Sequence, residues 1–291
     1  MNGYYRFAVG SLACTSLLDG FHAYAWKDFF SNASREEALA ALASRGVTGE
    51  SIETPYSYLY VDTGDHQVLI DAGAGPFFPT TGRLLASMAE AEISPAEIDT
   101  VIITHAHPDH IGGLLREDRS PAFPNAAHYV SKREWDYWFS DEERAKAGQG
   151  PQKAFDMFFD FARGQLEPVR HLARPVEFAG EQAAIYPGIA VFRAPGHTPG
   201  HMVVQLSSGG ERLLYIGDAV LSPLHLEHPG WLPIYDIQPE EAEVSKRLIF
   251  DMASSESCLV MGQHFPPFPS LGRVSRRREG WEWRPLWLKE D

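Results

Sequence analysis

The chain has 291 residues, 44% of them apolar, with 25 Lys and Arg against 39 Asp and Glu, for a formal charge of −14. That negative excess repels a phosphate backbone, so no nucleic-acid partner is expected, and no apolar run reaches the ~18 residues of a membrane span. Two cysteines, Cys14 and Cys258, are too few for a disulfide framework. The expectation is one cytoplasmic domain over residues 1–291, with a small-molecule substrate and, at most, a second copy of the chain as a homodimer partner.

Residues 4–18 read as an opening strand pair. Phe7 to Leu18, after Arg6, loosely resembles the apolar part of a signal peptide, but Asp19-Gly20 reads as a strand-to-turn exit. An aromatic stretch follows (Phe21, Tyr24, Trp26, Phe29 and Phe30); it either packs the core or forms a wall of the substrate pocket, with Phe29 as the candidate pocket residue. Ser34-Arg-Glu-Glu37 is a capping box for a helix through Ala43, with Gly46 as its stop. Ser57–Asp62 and His66–Ile70 pattern as a hairpin that delivers Asp71, and Arg83–Ala91 as a helix. Ser94-Pro-Ala-Glu97 is a second capping box.

Asp99–Thr104 is a short β-branched run, and it ends in His105-Ala-His107-Pro-Asp109-His110. Three of the chain's twelve histidines and one aspartate therefore crowd a single turn. His105 and His107, two apart, point the same way in extended backbone, while Asp109 and His110 come after the bend and can serve a second ion. Later apolar runs end in comparable residues: His197 and His201 in Pro195-Gly-His-Thr-Pro-Gly-His201, Asp218 after Gly217, and His264 after Gly262-Gln263. Imidazole and carboxylate suit a borderline divalent ion, with zinc the first choice and Mn, Fe or Co also accepted.

Between these ligand corners, Ser131-Lys-Arg-Glu134 reads as a cap for a helix carrying Trp135, Trp138 and Phe139. Residues 131–165 read as a helical insertion, with Phe155, Phe158 and Phe159 on one face, either glued to the core or acting as a lid over the metals. Strands are expected near Val176, Ala184 and Val191, and a charged helix over 239–254. The loop 219–233 holds Leu221, His225, His228 and Trp231, and with Phe29, Trp138 and Phe158 it supplies the candidate substrate-pocket residues.

The series His105-x-His107-x-Asp109-His110, then His201, Asp218 and His264, resembles the metallo-β-lactamase superfamily of binuclear metallohydrolases. The resemblance implies an α/β (α+β) fold, a four-layer αββα sandwich. It implies two divalent metals: His105, His107 and His201 for the first, Asp109, His110 and His264 for the second, and Asp218 bridging both. It makes Asp71 a residue that orients ligands rather than binding metal. His197 is then a turn residue beside the site, because the ligand set is full without it.

The implied activity is hydrolysis of a small apolar ester-like substrate (lactone, aryl ester or phosphotriester) by a hydroxide shared between the metals. Asp109 and Asp218 are the catalytic carboxylates. The pattern is nearest to the acyl-homoserine lactonase and methyl parathion hydrolase branch. The lactonases of that branch have a tyrosine three residues after the bridging Asp, where this chain has Leu221. The missing hydroxyl implies that aryl substrates outrun aliphatic lactones. Two other readings are a glyoxalase-II-like thioesterase and a mononuclear-iron persulfide dioxygenase; the complete second ligand set argues against the latter.

Overall fold

The computed structural model describes residues 2–147 and 156–286. Two seven-stranded sheets stack face to face. The first runs in chain order through β1 (Tyr4–Val9), β2 (Leu12–Ala25), β3 (Ser51–Asp62), β4 (Gln67–Ile70), β5 (Thr100–Ile103), β6 (Ala127–Ser131) and β7 (Ala173–Val176). The second holds β8 (Gln182–Tyr186), β9 (Ile189–Arg193), β10 (Met202–Ser208), β11 (Glu211–Tyr215), β12 (Leu259–Met261), β13 (Leu271–Arg276) and β14 (Trp281–Pro285), again side by side in chain order.

Three apolar layers follow from the two-residue alternation of the strands. Between the sheets lie Leu59, Val61, Val68, Ile70, Ile102, Val204, Leu206 and Leu213. The opposite faces of the first sheet pack Tyr58, Leu69, Val101 and Ile103 against the helices Leu84–Glu90, Lys132–Phe139 and Asp156–Leu166. The outer face of the second sheet packs Val203, Leu214 and Val260 on the helix Pro239–Ser255. The result is the αββα sandwich.

Local readings differ from the structure at two points. Asp19-Gly20 does not end the opening strand: β2 passes through a bulge there and continues to Ala25. Asp19 is buried and accepts the backbone N–H of Ala74, Gly82 and Leu84, so it anchors a loop instead of marking a turn. Ser94–Glu97 forms one turn and no helix, since β5 begins only three residues later. Ser34 caps the helix Arg35–Ser44 reciprocally with Glu37. Phe155 and the polar residues 148–151 of the insertion lie outside the described residues. No helix among the described residues is long and apolar enough to cross a membrane, and Cys14 and Cys258 are both buried and unpaired.

Candidate metal centre

Short buried strands deliver the candidate ligands to one edge of the sandwich. β5 ends at Ile103, and His107 then caps the one-turn helix Pro108–Ile111, whose proline has the fixed φ that a first helical position needs. β9 runs into the turn holding His197 and His201, β11 into a 3₁₀ turn around Asp218, and β12 into His264. Gly217 has φ +48°, and a Cβ there would lie 2.9 Å from His201 Nε2, so this corner demands glycine.

Two groups of side chains converge. His105, His107 and His197 form one; Asp109, His110, Asp218 and His264 form the other. In the first, His107 Nδ1 stands 2.9 Å from His197 Nε2. In the second, His264 Nε2 is 3.2 Å from Asp109 Oδ2. Asp218 lies between them. Its Oδ2 is 3.4 Å from His197 Nε2 and 3.9 Å from His105 Nε2, while its Oδ1 is 3.2 Å from His110 Nε2 and 3.4 Å from His264 Nε2.

These separations fit bound metal. Donors ~2.0–2.1 Å from one ion in a tetrahedron stand about 3.3 Å apart. His105 Nε2, His110 Nε2 and Asp218 Oδ1 are buried with no hydrogen-bond partner among the described residues, although they face one another at short range. Leaving such atoms unsatisfied is costly unless a cation completes them.

The structure corrects the sequence expectation on one histidine. His197, expected as a turn residue, joins His105 and His107, whereas His201, expected as a ligand, accepts the backbone N–H of Asp218 through Nε2 at 3.1 Å. That bond uses the lone pair a metal would need. His201 thus positions the carboxylate that lies between the two groups.

Three carboxylates hold the donors in place. Asp71, in the left-handed region at φ 60°, accepts from His110 Nδ1, Thr104 N and Thr104 Oγ1, each at 2.8 Å. Asp236 binds His197 Nδ1 at 3.0 Å, leaving Nε2 to face the centre. Glu134, expected as a helix cap, is instead buried between the ligand loops. Its Oε1 accepts Ala106 N–H and Trp138 Nε1–H at 2.9 and 2.6 Å, and its Oε2 accepts Thr198 Oγ1–H and Gly200 N–H at 2.7 and 3.0 Å. A Cβ on Gly200 would meet the Glu134 backbone nitrogen at 2.2 Å, so only glycine permits this approach. Neither Asp236 nor Glu134 announces this role in the sequence.

The electrostatics divide the same way. Burial, followed by repulsion from neighbouring histidines, holds His105 and His107 well below the usual imidazole range. Burial opposes charge on His110 too, but Asp218, Asp71 and Asp109 outweigh it and hold that ring well above the ordinary value. The same contest, led by Asp218, pushes His264 up to about 9. Asp218 feels burial as an upward push, yet His110 and His264 keep its carboxyl well below the normal carboxylate range.

The family model of the Metallo-beta-lactamase superfamily matches residues 53–264, a span that contains every residue of both groups. The chain belongs to that superfamily. Among its relatives, the N-acyl homoserine lactonase AttM of Azorhizobium caulinodans is 29% identical over 140 residues, 46% of each chain. AttM of Rhizobium radiobacter is 32% identical over 146 residues, 47% of this chain and 48% of the relative. The chain thus spans about half the length of the curated lactonases it matches. Two solved structures superpose over nearly the whole fold, each with a TM-score of 0.91 and 26% identity. One is AidC, a dizinc quorum-quenching lactonase in complex with a product, covering 99% of both chains. The other is the hydrolase AbOPH, covering 100% of this chain and 99% of that one.

On this superfamily scaffold the two groups open into a small cavity walled by Phe29, Phe77, Phe78, Phe158 and Leu221, with Tyr24 and Tyr235 among the lining. Phe158, on the helix Asp156–Leu166, places its ring 5.4 Å from that of His107. A larger cleft of about 1170 Å³ shares Phe29, Leu221 and His264 with this cavity and reaches Arg277 and Arg284. Three residues expected at the substrate lie elsewhere. Trp138 is fully buried beneath His107, with its indole N–H on Glu134. His225 is buried with Nε2 on the Phe29 carbonyl at 2.9 Å, and His228 stacks on Trp231 at 3.9 Å. Tyr24 belongs to the aromatic stretch that the sequence offered as core or pocket wall. Phe77, Phe78 and Tyr235 escaped the sequence reading because they come from the loop after Asp71 and the loop before the helix Pro239–Ser255, outside every ligand motif.

Proposed function

We propose that the chain is a dimetal hydrolase of carboxylic esters, with lactones of the N-acyl homoserine type as the leading substrate class. One observation carries this reading: Asp218 turns one oxygen to each group, so a single carboxylate can join two ions. Zinc is the expected metal, given the imidazole and carboxylate donors and the dizinc description of AidC. When bound, two such ions supply a nucleophilic water at neutral pH and polarise the substrate carbonyl.

The chain's own residues do the rest. His105, His107 and His197 would hold one ion, and Asp109, His110 and His264 would hold the other. Asp109 lines the cavity, where it can take the proton of the attacking water and return it to the leaving alkoxide. Phe29, Phe78 and Phe158 exclude bulk water and favour an apolar substrate. Aryl esters and phosphotriesters fall within the same chemistry. The lactonase relatives do not favour the thioesterase or dioxygenase readings.

Protein loaded with two equivalents of zinc should be assayed on N-hexanoyl homoserine lactone, an aryl acetate, an aryl phosphotriester and a glutathione thioester. The two carboxylic esters are expected to have the highest kcat/KM. A thioester preferred over both, or no turnover of either ester, contradicts the proposal.

A further inference from the structure

A tetrahedral intermediate from a lactone gains most from a hydrogen-bond donor aimed at its oxyanion, and Leu221 offers none. His225 and His228 are engaged elsewhere. The opposite wall of the cavity carries a hydroxyl of a distinctive kind. Tyr24, on β2, lines the cavity, and its ring meets that of His264 edge-on at 6.3 Å. The ring is wedged by Phe29 at 4.9 Å, Tyr235 at 6.0 Å and Phe78 at 6.3 Å, so its direction is fixed by packing.

The Tyr24 hydroxyl is hydrogen-bonded to that of Tyr56. Either oxygen can be the donor by geometry, but burial decides. Tyr56 is wholly buried, and among the described residues Tyr24 is the hydroxyl's hydrogen-bond partner. If Tyr24 donated, the Tyr56 proton would be stranded, at a cost of about 1–3 kcal/mol. Tyr56 therefore donates and Tyr24 accepts, which frees the Tyr24 proton to point into the cavity. We infer that Tyr24 is the oxyanion donor of this enzyme, aimed by Tyr56, and replaces from β2 the hydroxyl that Leu221 lacks. This inference rests on the proposed ester hydrolysis. It removes the reason for aliphatic lactones to trail aryl esters.

The test compares wild type, Tyr24→Phe, Tyr56→Phe and Tyr235→Phe, each with two metal equivalents confirmed and its melting temperature measured. Tyr24→Phe should lower kcat on N-hexanoyl homoserine lactone by ~10²–10³, the range for loss of one oxyanion donor, with KM nearly unmoved. An aryl acetate, whose leaving group needs less help, should lose less. Tyr56→Phe keeps the donor but loses its aim, and should cost about tenfold in kcat without raising KM. Tyr235→Phe should cost less than Tyr24→Phe. Binding of hexylphosphonate, a stable tetrahedral anion, should weaken about tenfold or more in Tyr24→Phe. Unchanged kcat and unchanged phosphonate affinity in Tyr24→Phe overturn the inference, as does a larger kcat loss in Tyr235→Phe. If wild type cleaves no ester, the proposed function fails, while the phosphonate arm still judges Tyr24 on its own.

Discussion

Glu134 accepts the backbone N–H of Gly200 at 3.0 Å while its other oxygen holds the N–H of Ala106, so one buried carboxylate ties together the two loops that carry His105, His107 and His197. Two of its four partners are backbone amides and a third is an indole; none of these can accept. Glu134→Gln turns an amide NH₂ toward one of those donor pairs. The expected cost is about 1–3 kcal/mol for each donor left without an acceptor. Melting temperature and zinc affinity should fall together, and a variant with wild-type values for both contradicts this role.

His197 and His201 separate by experiment as they do by geometry. His197→Ala removes a donor from the first group and should lose one metal equivalent with most activity. His201→Ala removes only the acceptor for the Asp218 amide, so it should keep its metal through purification and lose about 10–100-fold in affinity or turnover. The opposite pattern in elemental analysis restores His201 as the ligand.

Acid stability is expected to depend on His128, a histidine outside both candidate ligand groups. His128 on β6 is buried, and burial first, then His171, lowers its pKa to about 4. Above the unfolded value of 6.5, both states are neutral and the full stability is present. As pH falls from there toward 4, the unfolded chain takes the proton first, at up to about 1.4 kcal/mol per pH unit from this group. His128→Gln should flatten the urea-midpoint decline between pH 6.5 and 4. An unchanged slope removes His128 from the account.

The fold and much of the site were legible because both are local events. Short β-branched runs such as Thr100–Ile103 and Leu259–Met261 make buried strands, and the residues just past their ends are fixed in space by those strands. The choice between His197 and His201 was not legible. Both sit on one glycine-rich corner, and the choice turns on Asp236, 39 residues onward. Glu134 misled for a related reason: Ser-x-x-Glu is the pattern of a helix cap, and only its packing against Gly200 sends the side chain elsewhere. The cavity wall is assembled from β2, the loop after Asp71 and the helix Asp156–Leu166, an arrangement that no sequence period encodes.

The most direct test counts metal in wild type and in Asp218→Ala, purified without chelator and titrated with zinc, with activity followed at each addition. Because Asp218 turns one oxygen to each group, wild type should reach two equivalents, and activity should rise with the second. Asp218→Ala should bind less than two and stay inactive. A wild type that plateaus at one equivalent with full activity, or an Asp218→Ala protein that holds two ions as tightly as wild type, contradicts a dimetal centre joined by this carboxylate.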